Sequence, residues 1–372
     1  MATQETLGRR ALNRALLGRQ LLLGREALPV PRAVARLVGL QAQEPPDPYV
    51  ALWSRIEGFG HEDLADLLVQ RRVVRMTLVR GTIHLVTAPD GLSMWPVMRP
   101  LFERTFRGSE WGRNLDGLDL DEVLAVGREL VSDEPRTAAQ LAPPLTERWP
   151  DRDKAALVAA VRYLLPMVQV PPRGVWGQRG MPTLTTADRW IGRPLGRTTR
   201  PDRMMMRYLQ AFGPASVADM RTWSGLSGLR EVAERLRPRL RTYRDEDGHE
   251  LLDGPDGLFP DPDTVAPPRF LPTFDNVTLS HDDRRRIVDD DHRRRLLEII
   301  RGGIGTFLID GFVAGTWKVE RKRGRATLEI SPLDKLSRGD AEALAEEGER
   351  LLGFMAGDAQ GDIRIVRAGT PT

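Results

Sequence analysis

The chain has 372 residues, a formal net charge of +3 and no cysteine. Most single domains contain roughly 50–250 residues, so we expect several domains, and no apolar run approaches the roughly 18 residues of a membrane span. The lack of cysteine excludes disulfide scaffolds, thiolate zinc sites and cysteine nucleophiles, and together with the absence of a signal-peptide pattern it predicts a soluble, cytoplasmic protein.

The first part of the chain reads as three or four helices followed by a short hairpin. An arginine-bearing amphipathic helix at residues 6–24 precedes a helix at residues 31–40. After a proline-rich loop come two more helical runs and two apolar-rich runs with Gly81 between them. These runs cover residues 49–56, 61–71, 73–79 and 82–86. Helices followed by a two-stranded wing predict a winged helix-turn-helix module.

The same order returns twice. Thr137 with Gln140, and Ser216 with Asp219, form capping boxes that open the second helix of each later module. We therefore predict a mainly α fold with small β wings (α+β), in which three tandem winged helix-turn-helix modules form a concave DNA cradle. The modules span residues 1–115, 116–198 and 199–260, and residues 261–372 form a C-terminal α+β unit with a β-hairpin.

The loop after the second predicted helix carries Gln41 and Gln43 on either side of Ala42. A carboxamide both donates and accepts hydrogen bonds, so two of them can hold a water molecule in a fixed direction, although neither can take up a proton. Glu44 and Asp47 follow closely, and either could supply a general base. The alternative is that the glutamines cap a helix end and the carboxylates are solvated.

Basic residues at two places suggest contacts with DNA. Only four of the 55 basic residues are lysines, and arginine pairs well with phosphate, although GC-rich codon usage gives the same composition. A predicted hairpin tip at residues 320–325 carries Arg321, Lys322, Arg323 and Arg325, which suits a DNA groove better than a merely soluble turn.

Arg80 and His84 lie at the first wing, where they could also face DNA. A lone histidine is more often a structural hydrogen-bonding group, and that is the default for His84. The five histidines are too dispersed for a local metal motif, and no phosphate-binding loop, serine-hydrolase elbow or complete dinucleotide fingerprint occurs. We predict no metal and no cofactor.

Several blocks together resemble the tandem winged-helix DNA glycosylases of the AlkZ and AlkX type. The resemblance runs along nearly the whole chain and implies excision of alkylated purines, including bulky adducts and interstrand crosslinks. It assigns the catalytic Gln-aliphatic-Gln motif of that family to Gln41, Ala42 and Gln43. The blocks are VGLQAQEP (38–45), PYVALWSR (48–55), RGTIHLV (80–86), LPTFDN (271–276), LSH (279–281) and DGFVAGTW (310–317).

These observations give one main hypothesis and two alternatives. The main hypothesis is a monomeric, monofunctional glycosylase acting on double-stranded DNA with alkylated purines in the nucleoid, in which Gln41 and Gln43 position water and Glu44 or Asp47 assists. A winged-helix regulator or damage sensor would bind DNA without releasing bases. A protein-interaction module would show little salt-dependent affinity for DNA.

Overall fold

A computed structural model describes residues 5–366, and their side chains except those at positions 293, 296, 297, 300 and 301. The first part of the chain follows the predicted order of helices and a wing, but two helices that were not predicted, at residues 88–108 and 110–114, come after the wing. The predicted helix at residues 31–40 ends at Arg36, because Val38 and Gly39 adopt positive φ angles of 56° and 88°. The elements are α1 (Arg9–Arg19), α2 (Val30–Arg36), β1 (Leu40–Gln41), α3 (Asp47–Trp53), α4 (His61–Val69), β2 (Val73–Thr77), β3 (Ile83–Thr87), α5 (Ala88–Gly108) and α6 (Glu110–Asn114).

The second part contains the predicted capping box. The Thr137 hydroxyl accepts from the Gln140 amide at 3.3 Å, and the Gln140 side chain accepts from the Thr137 amide at 2.9 Å. The elements are α7 (Leu120–Asp133), β4 (Arg136–Thr137), α8 (Ala138–Arg148), α9 (Lys154–Leu164), β5 (Met167–Gln169), β6 (Thr183–Thr186) and α10 (Ala187–Ile191).

The third part repeats the arrangement with its own capping box, in which Ser216 and Asp219 satisfy each other's backbone amides. Its hairpin lies at the predicted place and turns at residues 245–249. The elements are α11 (Asp202–Phe212), α12 (Val217–Ser224), α13 (Leu229–Leu236), β7 (Arg241–Arg244) and β8 (Glu250–Asp253).

The C-terminal unit is built on a five-stranded sheet in the order β13-β12-β11-β10-β9, in which only the β12–β13 pair is parallel. Together with the three helix-and-hairpin parts, it confirms the predicted mainly α, α+β fold class. None of the described helices is both long and apolar enough to cross a membrane. The elements are β9 (Arg269–Leu271), α14 (Asn276–Leu279), α15 (Arg293–Gly302), β10 (Gly305–Ile309), β11 (Phe312–Lys322), β12 (Arg325–Pro332), α16 (Arg338–Ala356) and β13 (Gln360–Ile365).

The first two wings are joined in one sheet. Its strand order is β1-β3-β2-β5-β6-β4, so β2 of the first wing pairs directly with β5 of the second, with Arg75 opposite Gln169. The loop after β5 is also tied to the first part of the chain, because the Tyr49 hydroxyl donates to the Gly174 carbonyl at 2.9 Å. The first two modules are therefore one structural unit.

Two fully buried ion pairs hold distant segments together. Arg55 and Asp275 are both 0% exposed and form two parallel hydrogen bonds of 2.8 and 2.9 Å, which join the end of α3 to the C-terminal unit. Arg19 of α1 binds Asp253 of β8 in the same bidentate way. Such pairs fix the relative positions of segments, since each charge is stable in the interior only beside its partner.

We expect Arg55→Met to lower the free energy of unfolding by about 3–5 kcal/mol, because it leaves the Asp275 carboxylate buried without a counter-charge. The double variant Arg55→Met/Asp275→Asn should be less destabilised than the sum of the two single variants, since it leaves no charge behind. Urea denaturation followed by tryptophan fluorescence measures both effects.

Arg338→Met is the matched control, because Arg338 pairs with Glu342 at 2.8 Å while 93% exposed. Its effect should stay within about 0.5 kcal/mol. An Arg55→Met protein as stable as this control would contradict a structural role for the buried pair.

Candidate active site

The backbone of the Gln41 loop is held by hydrogen bonds on both sides. Gln41 lies opposite His84 in the antiparallel β1–β3 pair, and the Ala42 amide donates to the Ile83 carbonyl at 2.8 Å. The Ala42 carbonyl accepts from Arg75 Nη2 at 2.7 Å. At Gly39 a β-carbon would lie only 2.7 Å from Val86, so the chain enters β1 through a position that requires glycine.

Gln41 is nearly buried, at 8% exposure, and its amide orientation is set by Arg80. Arg80 Nη2 donates to Gln41 Oε1 at 2.7 Å, while Arg80 Nη1 donates to the Trp223 carbonyl at 2.8 Å. A guanidinium has only donors, so the atom of Gln41 that faces it must be the oxygen. Gln41 therefore offers its Nε2 donors to a bound molecule.

Gln43 lies on the surface and is less constrained. Its Oε1 accepts a long hydrogen bond of 3.4 Å from the Ile83 amide, which leaves one acceptor position and both donors open. Glu44 beside it is also exposed. The Gln41 carboxamide is thus fixed by Arg80 and presents mainly donors. The Gln43 carboxamide is held by the Ile83 amide at the start of β3 and can also accept a hydrogen bond.

Asp47 is a buried carboxyl group at the start of α3, only 7% exposed. Burial, and then the nearby charge of Glu44, raises its pKa to about 7, although hydrogen bonds from Thr273 partly oppose this shift. Its Oδ2 atom has no hydrogen-bond partner among the described residues. A carboxyl group of this kind can exchange a proton near neutral pH, which neither glutamine nor an ordinary solvated aspartate can do.

Arg75 lies behind the loop as a buried cation, 1% exposed. Burial, and then the like charge of Arg173, lowers its pKa to about 10, so it stays protonated at neutral pH. Its Nε and Nη1 atoms find no partner among the described residues. The loop is therefore backed by positive charge that is not fully compensated.

The predicted DNA contacts of the first wing need correction. His84 is 3% exposed and its Nδ1 lies 3.0 Å from the Thr82 carbonyl, and burial followed by the charge of Arg80 lowers its pKa to about 3. It is a neutral, structural histidine that DNA cannot reach. The Arg80 guanidinium is likewise turned inward, onto Gln41 and Trp223, rather than outward.

The basic hairpin forms where the sequence predicted it. Strands β11 and β12 are joined by Arg323 and Gly324, whose φ angles of 51° and 76° match a tight two-residue turn. Lys322, Arg323 and Arg325 are exposed and, within residues 5–366, make no ion pair. Arg321 instead pairs with Asp358 at 3.4 Å and donates to the Met355 carbonyl.

A second group of titratable side chains lies far along the chain, at the β7–β8 turn. Asp245, Asp247 and His249 bring ligand atoms within 4.8 Å of one another. Arg285 already pairs with Asp247, and also with Asp283 at 2.8 Å. We assign no metal to this group, because Asp247 already pairs with Arg285, and His249 Nδ1 lies 3.1 Å from Asp245 Oδ2.

The sequence did not reveal the contact of Arg80 with Gln41, and it named Asp47 as a possible base without indicating that this carboxyl group is buried. The motif itself marked Gln41 and Gln43, but the contact between Arg80 and Gln41 joins residues 39 positions apart. The nearest local signal was the position of Arg80 at the wing turn, where its charge suggested an outward orientation instead.

Comparison with known proteins identifies the family of the chain. A family model described as "DNA glycosylase AlkZ-like" matches residues 34–354. Among solved structures, the Streptomyces sahachiroi DNA glycosylase AlkZ superposes with a TM-score of 0.78 and 18% sequence identity, covering 97% of this chain and 100% of that one. This likeness establishes the fold, while a search of curated proteins finds no significant match. Because the family model spans most of its length, the chain belongs to the AlkZ-like family of DNA glycosylases.

Proposed function

We propose that this glycosylase removes N7-alkylated purines from double-stranded DNA by hydrolysing the N-glycosidic bond, as a monomer, without a cofactor and without lyase activity. The observation that carries the proposal is the pair of carboxamides at positions 41 and 43, one fixed by Arg80 and the other open to solvent. This pair can orient a water molecule toward a sugar carbon.

The chemistry of the leaving group makes such a site sufficient. An N7-alkylated purine already carries a positive charge, so it departs as a neutral base without an enzymatic acid. The protein must then place water at C1′ and stabilise the positive charge that develops on the sugar. Gln41 Nε2 can donate to the water oxygen, and Gln43 Oε1 can accept one of its protons.

Asp47 is the better candidate for the base that finally takes the proton. Its pKa of about 7 matches the working pH, whereas Glu44 is exposed to solvent. The sequence hypothesis named both carboxylates, and the burial of Asp47 favours it over Glu44.

Among residues 5–366, no lysine side chain contacts the Gln41 loop, which supports hydrolysis without strand cleavage. Lys318 pairs with Glu320 and Glu329, and no described contact joins Lys154, Lys322 or Lys335 to the Gln41 loop. A lyase step would require an amine that forms a Schiff base with the sugar.

The exposure of Gln43 supports extension to bulky adducts and crosslinks. Flipping a base into a closed pocket is impossible when that base is joined to the opposite strand. Because Gln43 and Glu44 lie on the surface, the reacting sugar can approach without enclosure of the base.

We expect Gln41→Ala and Gln43→Ala each to slow release of 7-methylguanine by about 100-fold, because the attacking water loses its direction. Single-turnover release from a duplex measures the rate. Binding to a duplex with an uncleavable abasic-site analogue should be unchanged. Gln210→Ala, an exposed carboxamide on α11, is the control. Undiminished release by both active-site variants would exclude these residues as the water-positioning pair.

Arg80→Met should lower kcat about tenfold or more while KM and DNA affinity stay near wild type, because Gln41 is free to rotate when its oxygen loses the guanidinium. Arg80→Lys should recover part of the rate, since an ammonium group can still donate to Gln41 Oε1. A fall in DNA affinity and in its salt dependence would instead identify Arg80 as a phosphate contact.

Asp47→Asn should abolish a rise in the rate of base release between pH 6 and 8, a range centred on the raised pKa of about 7. Glu44→Gln should leave that rise in place. A pH profile of Asp47→Asn that retains the wild-type inflection would rule out Asp47 as the base.

The same shift predicts an effect on stability. The pKa of Asp47 is about 7 in the folded protein, compared with a reference value of 3.8. Between these pH values the folded state binds more protons than the unfolded state. The free energy of unfolding therefore falls as pH rises through that window. Asp47→Asn should therefore be more stable than wild type at pH 8, by on the order of 2–4 kcal/mol, and the difference should vanish near pH 4. Denaturation at both pH values measures it.

A further inference from the structure

A cleft of about 210 Å³ opens beside Gln43, between the first wing and the second module. The first part of the chain contributes Gln43, Thr77 and Ile83 to its walls, and the second contributes Arg162, Gln169 and Arg173. Small-molecule pockets typically measure about 300–1,000 Å³, so this cleft fits a single chemical group rather than a whole nucleoside. It exists because β2 and β5 pair across the two modules.

Among the residues that the structure describes, the lining of the cleft is cationic and contains no carboxylate. Arg162, which is exposed, and Arg173, which is half-buried, both line the cleft and make no ion pair within the described part of the chain. Arg173 Nη1 donates to the Gly180 carbonyl at 3.2 Å, but its Nε is buried and has no partner. The Gln169 side-chain oxygen is also buried without a partner.

Arg75 adds a third positive charge directly behind this wall. It lies opposite Gln169 in the sheet, and the charge of Arg173 acts on it strongly enough to be among the causes that lower its pKa. Its Nε and Nη1 atoms lack partners in the region that the structure describes. Unpaired donors and like charges held together in this way are stabilised by an anion.

We propose that this cleft is an anion subsite that holds a backbone phosphate of the damaged strand next to the lesion nucleotide. The inference rests on the proposed function, since it concerns the same substrate. The alkylated purine itself is cationic and would be repelled by two guanidiniums, whereas a phosphodiester matches them in charge and hydrogen bonding. Because Gln43 forms part of the wall, a phosphate held here brings the adjoining sugar to the carboxamide that directs the water.

The test replaces single phosphates of the damaged strand with neutral methylphosphonates in a duplex that carries an uncleavable abasic-site analogue. Wild-type affinity should fall about 10- to 100-fold when one of the two phosphates flanking the lesion is neutral. The Arg162→Gln/Arg173→Gln variant should bind the unmodified duplex with a similarly reduced affinity. The methylphosphonate at the flanking position should not reduce its affinity further. The slope of its log affinity against log salt concentration should become shallower by about one, the loss of one phosphate contact.

Arg179→Gln is the matched control, because it removes one arginine charge from the loop that carries Arg173. Arg179 is exposed and does not line the cleft. It should keep the position-specific effect of the methylphosphonate. If the double variant fails to fold, Arg162→Gln alone gives the same comparison, since Arg162 is exposed at the end of α9.

Two results would overturn the subsite. In the first, a methylphosphonate next to the lesion lowers the affinity of the wild-type protein no more than a distant methylphosphonate does. This result would overturn the subsite even if inorganic phosphate, added at constant ionic strength, displaces the duplex. The other is a double variant that retains the full positional loss. Binding to uncleavable DNA is independent of base release, so failure to excise 7-methylguanine would refute the proposed function and leave this result interpretable.

Discussion

Gln41 lies opposite His84 in a strand pair only two residues long, and the Ala42 amide extends that pairing to the Ile83 carbonyl. The position of both carboxamides depends on this short ladder, because a strand fixes side-chain direction far better than a free loop does. Arg75 secures the ladder from behind through the Ala42 carbonyl. The proposed role of the two carboxamides, to orient one water molecule, requires this rigidity more than it requires reactive groups.

Burial divides the charged residues around this ladder into two kinds. Arg80 and Arg75 are cations whose hydrogen bonds hold the backbone and the amide of Gln41. Asp47 is a carboxyl group that the fold stabilises poorly in its charged form, as its unpartnered oxygen and raised pKa indicate. Titratable groups with strongly shifted pKa values cluster at functional sites, because the environment that suits a group for proton transfer often destabilises its charged form.

The sequence predicted correctly those features of the fold that depend on interactions between residues close together in the chain. The capping boxes at Thr137 and Ser216 and the turn at Arg323 and Gly324 each satisfy their hydrogen bonds within a few residues, and all three were identified correctly. The joining of β2 to β5 and the inward turn of Arg80 depend on residues distant in sequence, which leave no periodic signal. Helix α5 contains Pro96 and Pro100, which local propensity disfavours inside a helix, while its apolar face packs in the large core cluster.

The C-terminal sheet shares its core with the Gln41 loop. Ala326 and Leu328, next to the basic hairpin, pack in the same apolar cluster as Leu40 and Ala42, and Arg55 binds Asp275 across the junction. Removing the hairpin strands by truncation would therefore expose apolar side chains of the core that also supports the Gln41 loop.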